Sequence, residues 1–341
     1  MTLLTTRRRM LGLLAAAAGA AITGRTSPAD ELRYFRIGTG GTQGTYFPIG
    51  GIIANAISAP PGSLPCDEGG SCGVPGLLAA AQSSSGSVEN VRAIGAGLIE
   101  SGFSQADVAY WAYRGDSMFL DTGAVPNIRA IARLYRESVH LIARSDAGIT
   151  SVADLAGKRV SLDEEGSGTL VDARAILTAF GLAPADLDAR FVKAEKAVDA
   201  MMAGELDAFF LISGYPTASV AELAESMSVD LVPIRGAALD DLLRVHPFFI
   251  RDFIPRDAYA GLGTVETLSV GALWVVGEAI EADLVYGITK ALWHENARKQ
   301  LDEGHAKGKE IRLEYALQGV PIPLHPGAER YYREVGLIEA L

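Results

Sequence analysis

The sequence predicts an α/β protein made of two similar lobes around a cleft. Three observations point there. The chain has 341 residues, 49% of them hydrophobic and 21% charged, which is globular composition and enough length for two domains with separate cores. Short apolar strands alternate with amphipathic helices, the pattern of a mostly parallel sheet covered on both faces. A helix-glycine-strand unit, Val91–Phe103, recurs as Val198–Phe210, so the chain repeats one α/β module on either side of its middle.

Taken in order, Thr6-Arg7-Arg8-Arg9 leads into an apolar stretch from Leu11 to Ile22 that is too short for a permanent membrane anchor. A basic start, a short apolar region and small residues before a polar segment form an export signal. The paired arginines are of the twin-arginine type, and cleavage is expected between Ala21 and Asp30. Tyr34–Ile37 then reads as a strand entering a glycine-rich turn, and Phe47–Ile57 as a helix. Arg129–Arg144 is a long strand, expected to break near Tyr135-Arg136-Glu137. Val152–Lys158 looks like a short helix ended by Gly157, and Arg159–Leu162 like the next strand. In the repeated unit, Gly97 and Gly204 sit where a helix ends in the left-handed conformation. Turn residues follow each strand: Gln105-Ala106-Asp107 in one copy, Ser213-Gly214-Tyr215-Pro216 in the other.

A net charge of −11 argues against nucleic acid and against anionic membrane surfaces. No stretch after the signal is long and apolar enough to span a bilayer, so no stable membrane insertion is expected. Cys66 and Cys72 lie in the Pro/Gly-rich segment Pro60–Pro75 with no histidine near in sequence. In an oxidising compartment a local disulfide is the simplest account, and no metal site is expected.

Three small-residue turns each open a helix. They are Gly38–Tyr46, Gln82–Ser87, and Glu164–Thr169. Small residues let the backbone approach a ligand closely, and the free N–H groups and dipole of a helix start favour a negative group. At the carboxyl ends of parallel strands these turns would converge on a ligand. The candidate binding residues are Gly40, Gly41, Thr42, Thr45, Tyr46, Ser85, Gly86, Ser87, Gln105, Ser167, Gly168, Thr169 and Tyr215. Arg136, at a lobe crossing, is added as a guanidinium suited to bidentate capture of a carboxylate.

The string IGTGGTQGTYFPIGGIIANAI, from Ile37 to Ile57, resembles the N-terminal signature of the TAXI family, solute receptors of tripartite (TRAP) transporters. Ser84–Asn90 is similar to that family's S-T-x-G-S-V-x-N element, and Phe103–Asp107 to its Gln-bearing strand end. Gly157–Val160 through Gly166–Thr169 resembles its G-K-R-V…G-S-G-T block. Pro323–Ala328 and Tyr331–Gly336 close the pattern. The resemblance implies a type II periplasmic-binding-protein fold with a hinge between the lobes. It also implies a ligand such as glutamate, glutamine or 2-oxoglutarate, and delivery to a membrane permease. Two features depart from it: Arg136 beside Glu137 stands where the family commonly has Pro, and the Cys66–Cys72 segment is an elaboration.

The rival reading is an exported dinucleotide-dependent oxidoreductase, since Gly38, Gly40 and Gly44 follow a strand and precede a helix. The spacing is one residue off the usual fingerprint, and no acidic residue closes a second strand about twenty positions on. The five histidines are scattered and no G-x-S-x-G occurs. The expectation is therefore a non-enzymatic, cofactor-free periplasmic receptor, monomeric, binding a small carboxylate for a TRAP permease. Its expected parts are a signal over 1–29, a first lobe over 30–137 and 245–341, and a second lobe over 138–244. His325 is expected to fix a terminal turn, and Trp111, Trp274 and Trp293 to serve the core.

Overall fold

A computed structural model of the chain describes residues 32–339; the expected export signal lies outside the described residues. The first part of the chain forms β1 (Arg33–Gly38), α1 (Tyr46–Ile57), the short pair β2 (Ser58–Ala59) and β3 (Val74–Pro75), and β4 (Leu77–Gln82). It continues with α2 (Ser87–Gly95), β5 (Ser101–Gln105) and α3 (Ala106–Arg114) before the long strand β6 (Ile128–Arg144). The middle supplies β7 (Arg159–Ser161), α4 (Gly168–Ala179), β8 (Asp188–Arg190), α5 (Ala194–Met202), β9 (Ala208–Ser213) and α6 (Ala218–Ser226). Then come β10 (Val229–Leu231), α7 (Ala237–Val245), β11 (Ile250–Ile254) and the second long strand, β12 (Val265–Gly277). Helices α8 (Ala282–Leu292), α9 (Glu295–Gly304) and α10 (Pro326–Glu334) finish the chain.

Strand order β4-β1-β5-β12-β6-β9-β7-β8 places one parallel set, β4-β1-β5, on one side and another, β9-β7-β8, on the other. The long strands β6 and β12 run antiparallel between them. The first part of β6 pairs with β12, while its last residues, Ser138–Ala143, pair with β9. One continuous strand thus serves both halves, and the α/β, two-lobed architecture expected from the sequence is the one the chain adopts. Contrary to expectation, the strand is not broken at Tyr135–Glu137, although its register against β12 slips between Arg133 and Arg136. Hydrogen-bonded neighbours keep this stretch extended: Arg136 and Glu137 pair with Gly271 and Val270, and from Ser138 onward β9 adds a second partner.

Alternation along the strands assigns the cores. Phe35, Ile37, Phe103 and Trp274 pack under α1, α8 and α10 in the first lobe. Ile142 and Phe209 face α5 and α6 in the second. Their neighbours Leu141, Phe210 and Leu273 point to the opposite face, into a core shared by α2, α3, α4 and α7. Trp274 is fully buried and its indole N–H donates to Ser101 Oγ at 3.1 Å; Trp111 and Trp293 are only partly buried but pack on cores. His325 caps α10: its Nδ1 accepts the Gly327 N–H at 3.2 Å, and its own N–H donates to the Ala130 carbonyl. Gly97 and Gly204 both take positive φ as the repeat required. Among the described residues no helix is long and apolar enough to cross a membrane.

Candidate functional site

Every parallel strand near the centre of the molecule aims its carboxyl end at the same place. The turn after β1 leads into α1, that after β4 into α2, that after β7 into α4, and Gln105 and Ser213 end β5 and β9. Between them lies a cavity of about 70 Å³, room for about five waters at roughly 10–15 Å³ each.

Of the expected residues, Gly40, Gly41, Thr45, Tyr46, Ser85, Gly86, Ser87, Gln105, Ser167, Gly168 and Thr169 line this cavity. Thr42 and Tyr215 do not; Thr42 is exposed, and Tyr215 turns its ring to Lys307 Nζ, 3.7 Å from the ring centroid. Arg136 is also outside. Strand alternation sends it to solvent, where its N–H faces Glu310 Oε2 at 3.5 Å, and puts its neighbour Glu137 into the cavity wall instead. Sequence reasoning passed over Glu137, Asp163, Leu211, Ile212, Ser213 and Gly44, which complete the lining. Glu137 is the one carboxylate between Ile131 and Ile142, but Arg133, Arg136, Ser138 and His140 share that stretch, so its place in the wall depends on which face of the strand it takes.

The two lobes are latched across the cavity by direct hydrogen bonds. Thr45 donates its N–H to Ser213 Oγ at 3.1 Å and its hydroxyl to the Gly214 carbonyl at 2.8 Å. Gln43 N–H reaches Glu195 Oε1 at 3.2 Å. The Gly166 carbonyl accepts the N–H groups of Val88 and Glu89, both at 3.0 Å. The start of α2 is therefore already satisfied by the opposite lobe, which the expectation of three free helix starts did not foresee. Gly86, at φ +118°, makes the turn that lets this happen. At α4, Ser167 Oγ accepts the Leu170 N–H at 3.1 Å, and among the described residues the Gly168 and Thr169 N–H groups at the cavity have no hydrogen-bond partner. Gly168 fits tightly here: a Cβ would fall 1.7 Å from Gln105 Oε1 of the other lobe, so that side chain would have to move.

The electrostatics of the wall are acidic. Glu137 is 2% exposed, and Tyr46 donates to its Oε2 at 2.6 Å. Burial pushes its carboxyl up to about 8, against the Tyr46 hydrogen bond, and buried Asp107 adds to the rise. Asp163 sits at the end of β7 in the left-handed region, φ +73°, where its carboxylate accepts the Glu164 N–H at 2.8 Å. Burial raises it to about 7. Behind the wall, Asp107 of α3 and Asp172 of α4 are fully buried with carboxyl oxygens that lack other partners. They face each other across the lobes, and burial holds both above the usual carboxylate range.

A two-lobed α/β protein with its cavity at the carboxyl ends of both parallel strand sets is the class this geometry defines. The chain belongs to the NMT1-like family, whose pattern it matches over residues 37–336. A protein from Bordetella bronchiseptica RB50 has the same fold: 17% identity, a TM-score of 0.51, and 88% of this chain matched to 80% of that one. Looser matches are the alkanesulfonate-binding protein SsuA from Xanthomonas axonopodis pv. citri bound to MOPS and a putative L-cystine ABC transporter from Listeria monocytogenes. The first has 16% identity and a TM-score of 0.44, with 88% of this chain matched to 83% of that one. The second has 13% identity and a TM-score of 0.46, with 82% of this chain matched to 98% of that one.

The predicted disulfide is present, closing Cys66 to Cys72. The fold also brings His294 beside it, with Nε2 3.9 Å from Cys66 Sγ, a proximity invisible in sequence. His294 Nδ1 accepts the Asn296 N–H, which leaves the proton on Nε2.

Proposed function

We propose that this chain is an exported solute receptor of the TAXI type, which closes on a small carboxylate and delivers it to the permease of a TRAP transporter. Glutamate, glutamine, 2-oxoglutarate and related dicarboxylates are the starting ligand set. In this reading residues 1–29 are the twin-arginine signal, 138–244 form the second lobe, 30–137 and 245–341 the first, and the mature protein works as a periplasmic monomer without catalysis or cofactor.

One observation carries the proposal: two N–H groups at the start of α4, Gly168 and Thr169, stand unpaired at a cavity closed by cross-lobe hydrogen bonds. A carboxylate there would take both, helped by the helix dipole. Micromolar binding needs about 8 kcal/mol. Charge-assisted hydrogen bonds contribute roughly 1.5–3 kcal/mol each, so these amides with Ser87 and Thr169 hydroxyls reach that range. The resemblance over Ile37–Ile57 and Gly157–Thr169 supports the transporter type.

A thermal-shift screen of the purified protein against amino acids, oxo-acids and dicarboxylates tests it. A ligand at a hundredfold its dissociation constant stabilises by about 2.7 kcal/mol, so a true ligand stands out. No stabilisation by any of them, or a stoichiometric nicotinamide or flavin in the mass spectrum of undenatured protein, overturns the reading.

A further inference from the structure

We infer that the solute held in this cavity carries a protonated amine seated against the Glu137 carboxyl, so that the ligand is an amino acid and not a 2-oxo acid or a simple dicarboxylate. The inference rests on the receptor reading and narrows it. It starts from the charges of the wall. Glu137 and Asp163 both line the cavity, and none of its lining residues is a lysine, arginine or histidine. Glu137 is almost wholly buried, and among the described residues its one hydrogen-bond partner is the Tyr46 hydroxyl, which takes Oε2 and leaves Oε1 free. Gln105, equally buried, adds a side-chain oxygen with no partner to the same wall.

The nearby cation is already engaged. Lys307 is 2% exposed, donates to Glu310 at 2.7 Å and lies over the Tyr215 ring. A buried carboxyl with an open acceptor and no cation either stays protonated or waits for a donor to arrive. A dicarboxylate would bring further negative charge to this wall, where desolvation strengthens repulsion. An ammonium brings three donors and a positive charge, which matches the free Glu137 oxygen, the Gln105 oxygen and a neighbouring hydroxyl. The unpaired amides of Gly168 and Thr169 take an anion on another side of the same cavity. An α-amino acid presents both groups from one carbon.

Matched ligand triplets separate the outcomes: each common amino acid, its 2-oxo acid and its decarboxylated amine, titrated calorimetrically into the full-length mature protein. The expected result is that the amino acid of at least one triplet binds about tenfold or more tightly than its oxo acid. Glu137→Gln should shrink that preference to a few-fold, with circular dichroism showing a retained fold. Arg136→Ala, at the neighbouring position that faces solvent outside the cavity, should leave the preference in place. Binding of an oxo acid or dicarboxylate as tightly as the matching amino acid overturns the amine, while the receptor reading stands. A decarboxylated amine binding as well as the amino acid keeps the amine and removes the carboxylate from the proposed function. Silence from every triplet overturns both.

Discussion

Glu137 shows how one residue sets the character of this site. Its carboxyl is held up to about 8 by burial, and Asp163 reaches about 7 for the same reason. A carboxyl raised in the folded state binds a proton that the unfolded chain releases. Its stabilising contribution is therefore complete below the unfolded value near 4.5 and is lost as pH rises through the folded one. Each pH unit in that window costs about 1.4 kcal/mol per group. His140 works in the opposite sense. Its Nδ1–H donates to the Ser138 carbonyl, Nε2 faces the Tyr259 hydroxyl, and burial lowers it to about 4. It destabilises as pH falls from about 6.5 toward 4. Because two raised carboxyls outweigh one lowered histidine, thermal unfolding followed by circular dichroism should show stability rising as pH falls from about 8 toward about 5, and declining toward pH 8–9. Glu137→Gln should flatten the alkaline side, and an unchanged slope would remove Glu137 from the account. In sequence Glu137 stands between Arg136 and Ser138, where nothing separates it from a surface ion-pair partner. Arg136 was expected to reach the ligand from a lobe crossing, but in the continuous strand it faces solvent and Glu137 faces the cavity.

At the scale of elements, the turns after β1, β4 and β7 were readable because their density of Gly, Ser and Thr serves both capping and close approach. Eleven of fourteen expected binding residues line the cavity for that reason. What sequence could not supply was which helix starts stay free. Gly166 of one lobe satisfies α2 of the other, a partnership set only when the lobes meet, while the first amides of α4 are left for a ligand. Gly168→Ala is the direct probe, since its Cβ would overlap the Gln105 side chain. It should lower ligand affinity by more than about tenfold through blocked closure while the isolated lobes remain folded; titration and circular dichroism together check this. The disulfide loop gives a contrasting expectation. Replacing both Cys66 and Cys72 by Ser should cost about 2 kcal/mol in chemical denaturation, as a short closed loop implies, and leave affinity unchanged. The loop packs against the end of α1 and α9, not against the cavity.

Across the whole molecule, the repeated helix-glycine-strand unit revealed two lobes, and the structure shows them joined by β6 and β12. The hydrogen bonds across the closed arrangement include Thr45 with Ser213 and Gly214, Gln43 with Glu195, and Gly166 with α2. Each net hydrogen bond is worth about 1 kcal/mol, a scale that a ligand bound between the lobes can match. Thr45→Val with Ser213→Ala should open the unliganded protein and weaken binding without altering thermal unfolding of the lobe cores. The measurement that bears most directly on the central claim, a receptor that closes on a small solute, is small-angle X-ray scattering with and without the ligand found by screening. The opened double variant, Thr45→Val with Ser213→Ala, should have a larger radius of gyration than the native protein when free and return to the native, closed value at saturating ligand. A profile that ligand leaves unchanged in both proteins would contradict closure, and with it the receptor mechanism.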